Sequence, residues 1–338
     1  MPSRSGSGWL VLGGLAVFVS GSTHCAFANG LSVLVLGRVI QALGACATSV
    51  LSRAIARDLF DGPALARALA LTMIAGAAAP GFSPLVGSAL DGLFGWRITL
   101  LVVAAFGVAL AAHHWSSLGE THPTDRRSPL AIRSVAAAYG RLLGQTPFLL
   151  PALAVSLVIG GLYTFFASAP AILMDGMNLT SFELQWYFAA TVLIVFAAEF
   201  AAPRFASSWG RHAVGVGGLL LALAGGLALF AFAAAPNPVS FTAAVGLCLL
   251  GMGLINPFGS AIALRPFGKQ AGLASALLGI LQMACAAVGA WVASVLPLAP
   301  CTSLAVILTS ASALALAVFL PGVPRRSGDA QPNLKESL

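Results

Sequence analysis

Few side chains in this 338-residue sequence could do chemistry, and those few stand almost alone in long apolar runs. Arg38 opens an uncharged stretch of 14 residues that ends at Arg53. Gln41 follows it by three residues, and small residues come next at Gly44, Ala45, Ala47 and Ser49. Read as a helix, Arg38, Gln41 and Ala45 share one face at three- and four-residue spacing. A guanidinium does not deprotonate in a protein, so Arg38 offers a fixed positive charge and several donors. It is either turned inward to a polar cavity or stretched along its aliphatic stem to the headgroups. Glu199 is the carboxylate inside an apolar run, five residues before Arg204. It is either a protonatable group facing a cavity or an interfacial residue paired with Arg204 or Arg211. Gln41, Tyr163, Asn256 and Gln282 are polar handles that line a substrate cavity or else bond from helix to helix. His24 and Asp91 lie at the edges of their runs and read as interfacial.

Enzyme chemistry finds no footing. No Gly-x-x-x-x-Gly-Lys-Ser/Thr loop is present to cradle a nucleotide, so ATP is not the direct energy source. His113-His114 has no convergent acid or cysteine. The five cysteines (Cys25, Cys46, Cys248, Cys285 and Cys301) form no CxxC pair and read as small apolar packing residues. No cofactor and no metal are expected.

The elements that must position these groups follow from composition. Hydrophobic residues make up 59% of the chain, charged residues 8%, and the mean hydropathy is +0.94; soluble domains carry about 25% charged residues. This is the composition of an all-α, multi-pass membrane protein. A bilayer core of ~30 Å takes about 20 apolar residues per helix. Ten such runs are found, near 9–28, 32–52, 68–90, 97–117, 148–171, 184–203, 213–235, 239–262, 271–295 and 302–321. None shows the alternating polarity of a β-barrel strand. The run at 1–28 imitates a secretory signal, but a second apolar run follows at once. Four runs precede the longest polar stretch and six follow it. The expected organisation is a four-helix N-terminal half over 1–117, a linker over 118–146, a six-helix bundle over 147–322 and a polar tail over 323–338.

Charge gives the orientation. Arg53, Arg57, Arg67, Arg126, Arg127, Arg133, Arg141, Arg204, Arg211, Arg265, Lys269, Arg325, Arg326 and Lys335 fall on one side, against Arg97 on the other. The linker and both termini are therefore expected in the cytoplasm. The net charge of +7 resides in these loops, and no nucleic-acid partner is implied. Within the third run, Pro80, Gly81, Pro84 and Gly87 interrupt helix hydrogen bonding and thin the helix. They mark either a switching helix or an ordinary packing kink.

These strings resemble a known family. Arg38, Gln41 and Gly44 with Ala54-Ile55-Ala56-Arg57-Asp58-Leu59-Phe60 resemble the fourth helix of major facilitator drug:proton antiporters, and more narrowly the bicyclomycin-resistance (Bcr/CflA) family. Ala79-Pro80-Gly81-Phe82-Ser83-Pro84-Leu85-Val86-Gly87 is similar to the antiporter motif of the fifth helix. Gly95-Trp96-Arg97 matches the start of the sixth, Ser168-Ala169-Pro170 the seventh, and Asn256-Pro257 the tenth. Ala271-Gly272-Leu273-Ala274-Ser275-Ala276-Leu277-Leu278-Gly279 resembles the eleventh. Arg4 and Gly6 fit the loop before the third helix, while Ser7 and Gly8 stand where arginines are usual. On this alignment the chain starts at the third helix, and the family's first two helices are absent.

The resemblance implies a major facilitator helical bundle with about ten membrane helices, arranged four plus six in place of twelve. It implies a secondary transporter of the bacterial inner membrane that exports small, drug-like molecules by proton antiport. Its partners would be that small molecule, protons and the bilayer, and it would act as a monomer. Arg38, Gln41, Glu199, Tyr163, Asn256 and Gln282 are the candidates for substrate and coupling roles, with Pro80, Gly81, Pro84 and Gly87 in the switching helix. The family's first helix carries an aspartate, so its absence would impair transport. The alternatives are an uptake permease for a small metabolite on the same fold, or a non-transporting fragment.

Overall fold

The computed structural model describes residues 7–117, 132–233 and 237–322. Its elements in chain order are α1 (Ser7–Ala26), α2 (Leu31–Leu59), α3 (Gly62–Phe94), α4 (Trp96–Ser117), α5 (Ile132–Leu143), α6 (Thr146–Pro170), a π-helical turn (Ala171–Asp175), α7 (Ser181–Trp209), α8 (Arg211–Phe232), α9 (Pro238–Leu264), a 3-10 turn (Arg265–Gln270), α10 (Ala271–Val295) and α11 (Pro300–Gly322). Each expected apolar run is carried, over most of its length, by one long helix. Among the described residues, nine of these helices are long and apolar enough to cross a membrane. The remaining long one, α3, runs for 33 residues; the side chains of Pro80, Gly81 and Pro84 within it lie outside the described residues.

Several helices outrun their apolar segments. Helix α2 continues to Leu59, α3 starts at Gly62, and α7 passes Pro203 to reach Trp209. A helix satisfies its own backbone in water as in lipid, so polarity marks the bilayer edge and not the helix end. The expected linker also contains structure. Its second half forms α5, whose Leu142 is buried with Phe148, Ala263 and Leu277 against α6, α9 and α10.

The chain divides into two compact units, Met1–Leu130 and Ala131–Leu338. In the first, α1 packs on α2 and α4, and α3 lies against α4 and α2. The α1–α2 seam is built from small residues at seven-residue spacing. Gly14 meets Thr48, Phe18 meets Gly44, Gly21 meets Gln41 and Cys25 meets Gly37. Each pair of numbers sums to the same value, as an antiparallel register requires. Without a hydrophobic drive between helices in lipid, such backbone proximity is what holds them together. At the start of α4, Arg97 lies over the Trp96 ring and donates from Nη2 to the Ala28 carbonyl at 3.2 Å.

In the second unit α6 is central and packs against α9, α10 and α11. Helix α8 lies on α9 and α11, and α7 on α9 and α8. Phe165, Phe241, Leu249, Met252, Ile255, Leu304 and Phe319 fill the core. Two helix starts are set by caps. Thr180 and Glu183 form a reciprocal capping box at α7, and the Asn237 side chain accepts from Ser240 N–H at 2.9 Å before Pro238 opens α9.

Candidate functional site

Two polar constellations stand inside the apolar helices, one in each unit. In the first unit a hydrogen-bonded chain runs from a guanidinium to a helix backbone. Arg38 Nη1 donates to Gln41 Oε1 at 3.0 Å, Gln41 Nε2 donates to Ser22 Oγ at 2.8 Å, and Ser22 Oγ donates to the Phe18 carbonyl at 2.8 Å. Ser22 is fully buried and Gln41 nearly so, while Arg38 is exposed within its unit. The three-residue step from Arg38 to Gln41 brings both to one face of α2, and the glycine seam brings that face to Ser22. Gln41 has a backbone atom against Gly21, where any side chain on α1 would separate the helices.

Gln41 is therefore a bond between helices, and it also aims Arg38. Its carbonyl is committed to the cation because its amide nitrogen is committed to Ser22. Hydrogen bonds to a charged group contribute about 1.5–3 kcal/mol. The guanidinium keeps its other donors, and among the described residues no carboxylate pairs with it. The arrangement presents a fixed positive charge at the head of the uncharged stretch of α2 that runs to Arg53.

In the second unit Asn256 Nδ2 donates to Glu199 Oε1 at 2.6 Å, across 57 residues of chain. Both side chains are half-buried. Glu199 stands 18 residues beyond Ser181, the first residue of α7, and Asn256 stands 18 beyond Pro238, the first of α9. Each lies about 27 Å along its helix at 1.5 Å per residue. Gly253 lets the helices approach: a Cβ there would sit 2.6 Å from Ala198 Cβ and 2.8 Å from the Val195 carbonyl oxygen. The pairing of Glu199 with Arg204 or Arg211, one of the two expectations, is not what forms. Arg204 lies over the Phe200 ring with 5.0 Å to its centroid, and neither Arg204 nor Arg211 pairs with Glu199 among the described residues.

The other candidates are not drawn into either constellation. Tyr163 is exposed on α6 and Gln282 is half-buried on α10, without a hydrogen bond among the described residues. A Cβ built on Gly87 would meet nothing within 4 Å. The close backbone approaches lie elsewhere: at α1–α2, α7–α9, α6–α10 through Gly160, α8–α11 through Gly226, and α8–α9 through Gly218, Gly225 and Gly251. Sequence reasoning missed Ser22 and Gly253. The seven-residue spacing of Gly14 and Gly21 against Gly37 and Gly44 pointed toward the first; nothing short of the α7–α9 register points to the second.

A cavity of about 300 Å³ lies between α6, α10 and α11, lined by Gly160, Gly161, Thr164, Cys285, Val288 and Leu314 among others. Its hydroxyls are spent on their own helices, Thr164 on the Gly160 carbonyl and Ser310 on that of Ile307. It offers apolar walls without an orienting donor.

The model of the Major Facilitator Superfamily matches residues 3–290. The chain is similar to the multidrug resistance protein MdtL of Shigella flexneri serotype 5b, with 28% identity over 328 residues that cover 96% of this chain and 82% of that protein. Among solved structures it is similar to a bacterial homologue of the human lysosomal transporter Spinster in an inward-facing, unoccupied conformation. That match has a TM-score of 0.68 and 15% identity, and covers 94% of this chain and 82% of that one. It is also similar to the human organic anion transporter MFSD10, with a TM-score of 0.64 and 20% identity over 94% of this chain and 77% of that one. At such identities the two structures speak to the fold.

Proposed function

The chain belongs to the Major Facilitator Superfamily, and from that premise we propose that it exports small, drug-like molecules across the bacterial inner membrane in exchange for protons. That it is a multi-pass membrane transporter and not an enzyme follows from the family. The direction of transport, the substrate class and the coupling are our reading. The observation that carries it is the Arg38–Gln41–Ser22 chain, at the residues whose pattern resembles the Bcr/CflA fourth helix. A permanently charged group does not carry a proton itself. It does hold an anionic or polar partner in place, and its energetic cost in lipid makes a functional role the default reading. The similarity to a multidrug resistance protein along 96% of the chain supports the same assignment.

The cytoplasmic placement of the linker and termini, and action as a monomer, belong to this proposal. So do the roles of Tyr163, Gln282 and the Pro80, Gly81, Pro84 and Gly87 helix. The test uses purified chain in proteoliposomes with a pH-sensitive dye inside and a lipophilic cation or an uncharged aromatic drug outside. Drug movement against its gradient, coupled to proton movement the other way, is expected. Movement of drug down its gradient only, or concentrative uptake of sugars or nucleosides, would overturn the export reading.

A further inference from the structure

Glu199 has features that a merely interfacial carboxylate does not need. Its partner is a neutral amide on another helix, held at the same depth by two capped helix starts. The two helices touch through Gly253, one turn from Asn256. Both helices also carry a proline just beyond the pair. Pro203 lies four residues after Glu199, and Pro257 four residues after Gly253. Proline has no N–H, so the backbone carbonyls of Glu199 and Gly253 lose their α-helical donors. One carboxylate, one carboxamide and two carbonyls without α-helical donors thus lie within about one helical turn of one another at the α7–α9 contact. These oxygen-bearing groups make a polar locus in an otherwise apolar contact between α7 and α9.

We propose that Glu199 and Asn256 form the proton-carrying site of the second unit, with Gly253 as the positioning residue that brings them together. The inference rests on the reading of the chain as a proton-coupled exporter. The step is a simple protonation, in which the Glu199 carboxylate takes one proton and becomes a neutral carboxyl group. No other bond is made or broken. Asn256 suits both forms. Its NH2 donates to the carboxylate, as observed. Its carbonyl accepts from the carboxyl O–H once the amide turns over. Loading and unloading therefore change the direction of one hydrogen bond and the charge of α7, and each form keeps a partner.

The charged and titratable groups on the elements packed against this site are few. Helix α7 itself carries Glu183 and Tyr187 toward its far end, the latter bonded to Thr242, and Arg204 over Phe200. Helix α8 contributes Arg211 and His212, the latter stacked on Phe319 at 5.7 Å. Helix α9 carries Cys248, the 3-10 turn after it opens on Arg265, α6 carries Tyr163, and the π-helical turn ends in Asp175. None of them is bonded to Glu199 among the described residues. The site's partner in either protonation state is the amide.

Two measurements test the proposal. Infrared difference spectra of the purified chain, taken across the pH range of transport, should show a protonated carboxyl band that Glu199→Gln removes. Asn256→Leu, which leaves the carboxyl but removes its partner, should shift the frequency of that band. The same band intact in Glu199→Gln would overturn the proposal whether or not drug transport is detected. In proteoliposomes with tetraphenylphosphonium or chloramphenicol as the probe, Glu199→Gln should abolish flux driven by a pH gradient for both. Exchange of drug against drug without a gradient should persist. Loss of tetraphenylphosphonium flux alone would make Glu199 a counter-ion for cationic drugs and overturn the assignment. Flux driven by a sodium gradient at equal pH would overturn it too. If the wild-type chain moves drug but no protons, the exporter reading itself falls. If it moves both and Glu199→Gln still couples them, only this site falls.

Discussion

Gly44→Ala should loosen the first unit, although alanine is the better helix former. A Cβ on Gly44 would lie against the Phe18 backbone nitrogen, 2.7 Å from the Gly14 carbonyl oxygen and 2.7 Å from Phe18 Cα. All three are backbone atoms of α1, so no side chain can swing aside. Restoring an ordinary contact of 3.4 Å to the nearest of these atoms requires α1 and α2 to part by about 1 Å. A gap of that size forfeits about a quarter to a half of each dispersion contact it opens, and it pulls on the 2.8 Å bond from Gln41 to Ser22. Overpacking of this kind costs about 1–3 kcal/mol. Against it stands a gain of up to about 1 kcal/mol from replacing a helical glycine. Net destabilisation of about 1–2 kcal/mol is expected. Gly13→Ala on the partner helix α1 is the control, since a Cβ there meets nothing within 4 Å; it should be neutral or slightly stabilising. The assay is thermal unfolding of the two variants and the wild type in one detergent. The Trp9–Trp115 pair, 5.3 Å apart between the start of α1 and the end of α4, reports on this unit. If Gly44→Ala melts at or above Gly13→Ala, the seam is not the tight antiparallel contact described and the argument fails.

Other outcomes are open to direct measurement. Gln41→Leu removes the bond that aims Arg38, so it should cost about 1–2 kcal/mol of unfolding stability and depress transport further than that loss explains; equal effects on both would make the residue structural only. Reporters fused at the linker near Arg133 and at the C-terminus should both score cytoplasmic, and one near Asp175 should score on the other side; agreement of all three would refute the orientation. Gly87→Leu enters open space and should leave the melting temperature unchanged, whereas a fall would show a close neighbour at α3. Thr180→Ala dismantles the capping box and should speed amide exchange at 181–184, with the remainder of α7 unaffected.

The helices were legible because a span in lipid must satisfy its own backbone, and that demand prints about 20 apolar residues for each crossing. Their ends were less so, since a helix leaving the bilayer need not stop, as α7 does not at Pro203. The first constellation was half visible. Arg38 and Gln41 are one helical turn apart on one chain segment, but Ser22 belongs to a neighbour and is reached only through the glycine seam. The second constellation could not be found by local spacing at all. Arg204, the nearest cation in sequence, lies five residues from Glu199. Five residues carry a helix through about 500°, which leaves the two side chains roughly 140° apart around the axis. The partner that forms is 57 residues away. Even so, the information is in the chain, at its caps. Thr180 and Glu183 start α7, Asn237 and Pro238 start α9, and counting 18 residues from each start arrives at Glu199 and at Asn256. Two helices that enter from the same side and rise equally per residue must bring those positions to one depth. Gly253 then decides that they touch. Short polar caps at the ends of α7 and α9 therefore set the register of a buried hydrogen bond about 27 Å away. Lengthening the start of either helix by one residue would rotate its partner by about 100° and break the pair without touching either side chain.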